Sequence, residues 1–220
     1  MRVLIACEES QVECLAFRNC GVSAYSCDLK PCSGGHPEWH IRGNVSSYLD
    51  GRCRFVTEDG QAHIIEGRWD LIIAHPPCTY LSKAGSTIMF PKPGLANPAR
   101  VTRAILARDF FMKCLQADCE FVAVENPIPM KFVSLPTPTT YVEPFWFGHP
   151  FTKKTYLWLK NLPPLMPTEF VHPKASWVYW VGGGGDYQTR RSKSFEGIAR
   201  AMAAQWIPIV DDYLKKGVKS

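Results

Sequence analysis

Three short, nearly continuous apolar runs, Val3 to Ala6, Trp69 to Ala74 and Glu120 to Val124, constrain this chain most. Each ends abruptly in polar residues, as buried strands do. After the first run, Gln11 to Asn19 carries apolar residues at helical spacing, with Val12, Leu15, Ala16 and Phe17 on a core side. Ser10 is its expected N-cap and Gly21 its stop. Val22 to Cys27 reads as the next strand, completing a β-α-β unit that calls for a parallel sheet. A helix over about Arg103 to Gln116 leads into the Glu120 to Val124 strand. A last helix is expected over Phe195 to Tyr213, where Ile198, Ala199, Met202, Ala203, Trp206 and Ile209 share a core stripe and Pro208 kinks it or ends its first part. The expected fold class is α/β, a doubly wound, mostly parallel sheet.

At 220 residues and 46% hydrophobic content the chain suits one domain, 1–220, without room for a second large one. The formal charge of +5 permits a nucleic-acid partner without demanding one. Nine cysteines, an odd number at irregular spacings, read as reduced thiols. The opening apolar run is too short for a signal peptide, and no stretch is long enough to span a membrane, so a soluble cytoplasmic protein is expected, and among oligomeric states a monomer is favoured. Residues 79–102, 127–144 and 161–174 are proline-rich connections, and long connections in compact domains are commonly functional.

Ligands of open parallel sheets bind where strands end. The residues just past the strands here are Cys7-Glu8-Glu9-Ser10, Asp28, His75-Pro76-Pro77-Cys78 and Glu125-Asn126-Pro127. A carboxylate behind an apolar strand is costly to bury unless it is paired or used, so Cys78 and Glu125 at strand ends of one sheet are a candidate reactive pair.

Together these motifs resemble those of the cytosine-C5 DNA methyltransferases, of a compact phage or bacterial type. Pro77-Cys78-Thr79-Tyr80-Leu81-Ser82 matches the nucleophile motif at Pro77, Cys78 and Ser82, with Thr79 and Leu81 in place of the usual Gln and Phe. Glu125-Asn126 matches the second motif. Phe147-Gly148-His149-Pro150-Phe151-Thr152-Lys153 is similar to the Gly-Val-Pro-Gln-x-Arg segment, Lys153 replacing Arg. The order of the pieces is the family's, over roughly residues 3 to 160. The resemblance implies a Rossmann-like methyltransferase fold and Cys78 adding to C6 of cytosine, with Glu125 protonating N3. Pro77, Ser82, Asn126 and Lys153 complete the implied catalytic set, and no metal is required.

The resemblance also implies S-adenosylmethionine or a modified analogue. Its implied contacts are Ala6, Cys7, Glu8, Glu9 and Ser10 in the first loop, Asp28 and Leu29 near the ribose, and Asn44 and Val45 near the adenine. His75 and Pro76, ahead of the nucleophile, join them. The first loop lacks the family's glycines, which puts close backbone approach to the cofactor in question. The implied partner is DNA, contacted by Lys83, Lys92, Arg100 and Arg103 beyond the nucleophile and by Arg190, Arg191 and Lys193 after the glycine tract.

Other readings stay open. An amino-group methyltransferase uses a polar-Pro-Pro-aromatic loop at the same strand end, and Tyr80 keeps that reading alive; a related enzyme acting on free pyrimidine nucleotides is a further alternative. A catalytically silent DNA-binding protein would also explain the unusual first loop. Cys27, Cys32, His36 and His40 follow at spacings that could ligate zinc, yet they lack the longer spacer of strong zinc signals. Finally, 161–193 is a reduced counterpart of the family's target-recognition region, so a short or relaxed DNA target is expected.

Overall fold

The computed structural model describes residues 1–51, 53–65, 67–92, 94–182 and 193–217. In chain order the strands are β1 (Arg2–Ala6), β2 (Ser23–Asp28), β3 (His40–Arg42), β4 (Cys53–Val56), β5 (Ala62–Ile65), β6 (Leu71–Ala74), β7 (Phe121–Pro127), β8 (Thr140–Val142), β9 (Phe151–Thr152), β10 (Thr155–Lys160) and β11 (Ala175–Ser176). The helices are α1 (Val12–Asn19), α2 (Ser86–Met89), α3 (Pro98–Leu115), α4 (Trp177–Trp180) and α5 (Glu196–Gly217).

Among the described residues, seven strands form one sheet in the order β3-β2-β1-β6-β7-β10-β8. From β3 to β7 neighbouring strands are parallel, and β10 enters antiparallel between β7 and β8. The chain winds outward from β1 to β3, then returns to β6 on the other side of β1, which opens a crevice at the carboxyl ends of β1 and β6.

The apolar runs are continuous because both faces of the sheet are covered. Val3, Ile5, Leu71, Ile73, Phe121 and Ala123 point into one core with Phe17 of α1 and Met202 and Trp206 of α5. Leu4, Ala6, Ile72, Ala74, Val122 and Val124 point into the other, with Ala104, Phe111 and Cys114 of α3. The sheet is doubly wound, as expected.

Several boundaries differ from the sequence-based expectation. β7 does not stop at Val124: its parallel ladder with β6 ends at Ala74↔Val124, but antiparallel β10 continues it through Leu157↔Glu125 and Thr155↔Pro127. Glu125 and Asn126 therefore sit inside a strand rather than in a loop. α3 starts at Pro98, five residues earlier than expected, because the Asn97 side chain caps it by accepting from the Arg100 amide and Pro98 needs no donor in the first turn. α5 passes through Pro208, where buried Trp206 and Val210 anchor the helix on either side. α1 buries Glu13 and Cys14 with Ala16 and Phe17, while Val12 and Leu15 are only partly covered. No described helix is long and apolar enough to cross a membrane.

Candidate active site

The turn after β1 does without glycine. Cys7 (φ 61°) and Gln11 (φ 58°) occupy the left-handed region, an arrangement that costs a non-glycine residue on the order of 1–3 kcal/mol. Neighbouring segments hold it there. The Cys7 and Glu8 amides both donate to the Cys27 carbonyl, at 2.7 and 3.2 Å. The Gln11 side chain donates to the His36 carbonyl and accepts from the His36 amide. Gly34 lies against this turn so closely that a Cβ there would stand 2.5 Å from Gln11 Cβ and 2.6 Å from the Ser10 carbonyl. Gly34 thus lets the next loop pack directly on this turn. The capping expected of Ser10 is done by Glu8: its carboxylate turns inward and accepts from the Glu13 and Cys14 amides at 2.7 and 3.3 Å. Burial, then the neighbouring Glu13 carboxylate, push the Glu8 carboxyl well above its usual range.

A cleft of about 480 Å³ opens at the ends of β1, β2 and β6. Cys7, Glu8, Glu9, Ser10, Asp28, Leu29, Asn44, Val45, His75 and Lys193 line it, joined by Phe110 of α3. Leu29 is 74% exposed there, an apolar side chain open to a ligand. The Asn44 side chain is partly spent on capping, accepting from the Ser46 amide. Ala6 is a buried strand residue and Pro76 faces elsewhere, so neither lines this cleft.

A second cleft, about 560 Å³, lies beyond the loop after β6. Pro76, Pro77, Cys78, Ser82, Lys83, Glu125, Glu143, Lys153 and Lys154 are among its walls. The loop is wound tightly, the Leu81 and Ser82 amides donating to the Cys78 carbonyl at 3.0 and 2.9 Å. Asn126 is buried and reaches the Pro76 carbonyl, bracing the loop from β7. Arg100 and Arg103 brace it from α3. Arg100 donates to the Thr79 carbonyl, its guanidinium stands 4.8 Å from the Tyr80 ring, and Arg103 donates to the Tyr80 hydroxyl at 2.7 Å. His75, Pro77 and Cys78 line both clefts.

The electrostatic centre is His75. Its Nδ1 lies 2.9 Å from Glu125 Oε2, and its Nε2 lies 3.5 Å from Glu13 Oε1. Burial disfavours the imidazolium, but Glu13 and Glu125 outweigh it and raise the His75 pKa to about 9. The same pairing acts on Glu125: burial would raise its carboxyl, while the hydrogen bond and charge of His75, with help from Lys153, hold it below the usual carboxylate range.

Lys83 and Lys153 reach the second cleft, whereas Lys92 is exposed on a separate turn bridged to Leu95. Arg190 and Arg191 lie outside the described residues. Cys27, Cys32, His36 and His40 serve the bracing loops: His40 directs its ring nitrogens at Ser26 Oγ and the Lys30 carbonyl, and His36 stacks on Trp39. Glu13, Phe110 and Glu143 escaped sequence reasoning. Glu13 sits in the first helical turn, where an acid ordinarily complements the helix dipole and signals nothing more.

No family model matches the chain, and no curated protein matches it in sequence. Solved structures similar to it include a prophage-encoded E. coli protein described as a candidate DNA modification methyltransferase, at 15% identity and a TM-score of 0.45, covering 84% of this chain and 56% of that one. A triple mutant of Spodoptera frugiperda DNMT2 is similar at 14% identity and a TM-score of 0.38, covering 84% of this chain and 60% of that one. This chain therefore spans less than two thirds of the length of either.

Proposed function

We propose that the chain is a DNA cytosine-C5 methyltransferase using S-adenosylmethionine, with Cys78 as its nucleophile. The observation that carries this reading is the shared wall: His75, Pro77 and Cys78 border both clefts, so a donor in one meets a base in the other at the Cys78 loop. The first cleft suits the donor. Asp28 offers a carboxylate for ribose hydroxyls, and Leu29, Val45 and Phe110 offer apolar surface for an adenine. When bound, S-adenosylmethionine supplies an electrophilic methyl group.

The chain's own residues do the rest. Cys78 adds to C6 of cytosine, which makes C5 nucleophilic, and Glu125 in the same cleft exchanges a proton with N3. Asn126 and Ser82 keep the Cys78 loop in place, and Lys83, Lys153 and Lys154 give the base cleft a positive rim suited to phosphate. The aromatic residue on which an amino-group reading depends, Tyr80, lines neither cleft and is engaged by Arg100 and Arg103.

A duplex carrying 5-fluorocytosine, mixed with S-adenosylmethionine and the full chain, is expected to give a covalent adduct at Cys78, because fluorine at C5 blocks the final elimination. Cys78→Ser abolishes both adduct and methylation. Methylation that survives in Cys78→Ser contradicts the carbon mechanism, and failure to bind S-adenosylmethionine in calorimetry supports a silent DNA-binding protein. With only a short segment between β10 and α5, few base-edge contacts are on offer, so bisulfite sequencing is expected to return a target of one or two bases around the cytosine. A strict six-base site contradicts this.

A further inference from the structure

His75 is held between carboxylates from two different elements, and only one of them faces the base cleft. Glu125 of β7 lines that cleft, whereas Glu13 of α1 is 1% exposed and lies behind the imidazole. Among the described residues, neither Glu13 oxygen nor His75 Nε2 meets a partner in hydrogen-bond geometry. A carboxylate buried in this way needs a compensating charge, and the imidazole 3.5 Å away is the group that supplies it. The other charged group acting on the imidazole is Lys153, from the connection between β9 and β10. Glu8, in the turn after β1, stands beside Glu13 itself: it accepts from the Glu13 amide, and burial together with the Glu13 carboxylate pushes its carboxyl well above the usual range. Glu125 is already engaged by His75 Nδ1, so the proton for N3 needs a source behind it.

We infer that Glu13 and His75 form a proton relay behind Glu125, with Glu13 holding His75 protonated and His75 recharging Glu125 during attack on the base. The inference rests on the cytosine-C5 reading above. In the resting site Glu125 is a carboxylate accepting from His75 Nδ1–H. As the Cys78 thiolate bonds to C6, the electron pair of the C5–C6 double bond is displaced toward C5 and N3. N3 takes a proton through Glu125, His75 Nδ1 gives up its own, and the neutral imidazole keeps Nε2–H toward Glu13. Once the methyl group is on C5, the C5 proton passes to a solvent base and its bond pair restores the C5–C6 double bond. Cys78 leaves as thiolate with the C6–S pair, and the N3 proton returns through Glu125 to His75. Glu13 and His75 are positioning residues, since they act on the base through Glu125.

The test is the pH profile of 5-fluorocytosine capture by the full chain with S-adenosylmethionine. Capture by the wild type is expected to decline on the alkaline side as His75 loses its proton, near pH 9. In Glu13→Gln the decline moves down by about one to three pH units, the usual effect of removing one neighbouring opposite charge. His75→Gln slows capture by about 10²- to 10⁴-fold and loses this limb. An unmoved limb in a folded, active Glu13→Gln overturns the relay while leaving the C5 reading intact. Absence of wild-type capture at every pH overturns the C5 reading and the relay with it. Should Glu13→Gln fail to fold, an NMR titration of the wild-type His75 ring decides: loss of its proton below about pH 7.5 overturns the relay, and retention above that supports it.

Discussion

A histidine between two carboxylates ties stability to pH. The His75 pKa is raised in the folded chain to about 9 from an ordinary value of 6.5. Its contribution is therefore fully present below about pH 6.5 and is lost as pH rises through about 9. Compared by urea unfolding, wild type and His75→Asn are expected to differ by on the order of 2–3 kcal/mol more at pH 6 than at pH 10, and a pH-independent difference refutes the pairing. At this scale legibility was uneven. Cys78 and Asp28 stand beside apolar runs, so their placement near strand ends could be read directly, whereas Glu125, expected just past a strand, lies within β7. Glu13 could not be read, because its significance depends on a histidine that lies 62 positions further along and reaches it only through the packing of α1 against the sheet.

Among the elements, α5 docks through its first turn. The Gly197 amide donates to His149 Nε2 at 2.9 Å, and a Cβ at Gly197 would overlap the Phe147 carbonyl. Gly197→Ala is expected to cost about 1–3 kcal/mol in thermal or urea unfolding, as overpacking at a rigid contact does. An unchanged melting temperature would mean that α5 can slide on the 147–149 turn. Strands β1, β2, β6 and β7 and the long helices were readable from periodicity, but their ends were not, and β3, β8 and β10 of the same sheet were not anticipated. β7 outruns its apolar stretch because a distant antiparallel strand extends its ladder, and α5 survives Pro208 because buried side chains flank it. The β4–β5 hairpin was not anticipated. Only Phe55 and Ile65 among its described apolar side chains are buried, and so short an alternation carries little signal.

Across the whole molecule, two cores share one set of strands, with alternate residues of β1, β6 and β7 serving opposite faces. Damage to either face should weaken one common unfolding transition. Phe17→Ala in one core and Phe111→Ala in the other are each expected to cost about 3–5 kcal/mol with an unchanged urea dependence. A second transition in either variant refutes the coupling. The sequence by itself determined the parallel sheet and which residues border its carboxyl ends, because strand burial and strand polarity are local patterns that repeat every few residues. Only the tertiary structure decided what those residues do to one another. It made the loop of His75, Pro77 and Cys78 a wall common to two clefts, packed Gly34 against the first turn, and set Glu13 behind His75. The physical reason is that close packing and charge pairing act across space between elements far apart in the chain, and no periodicity records which of them will meet.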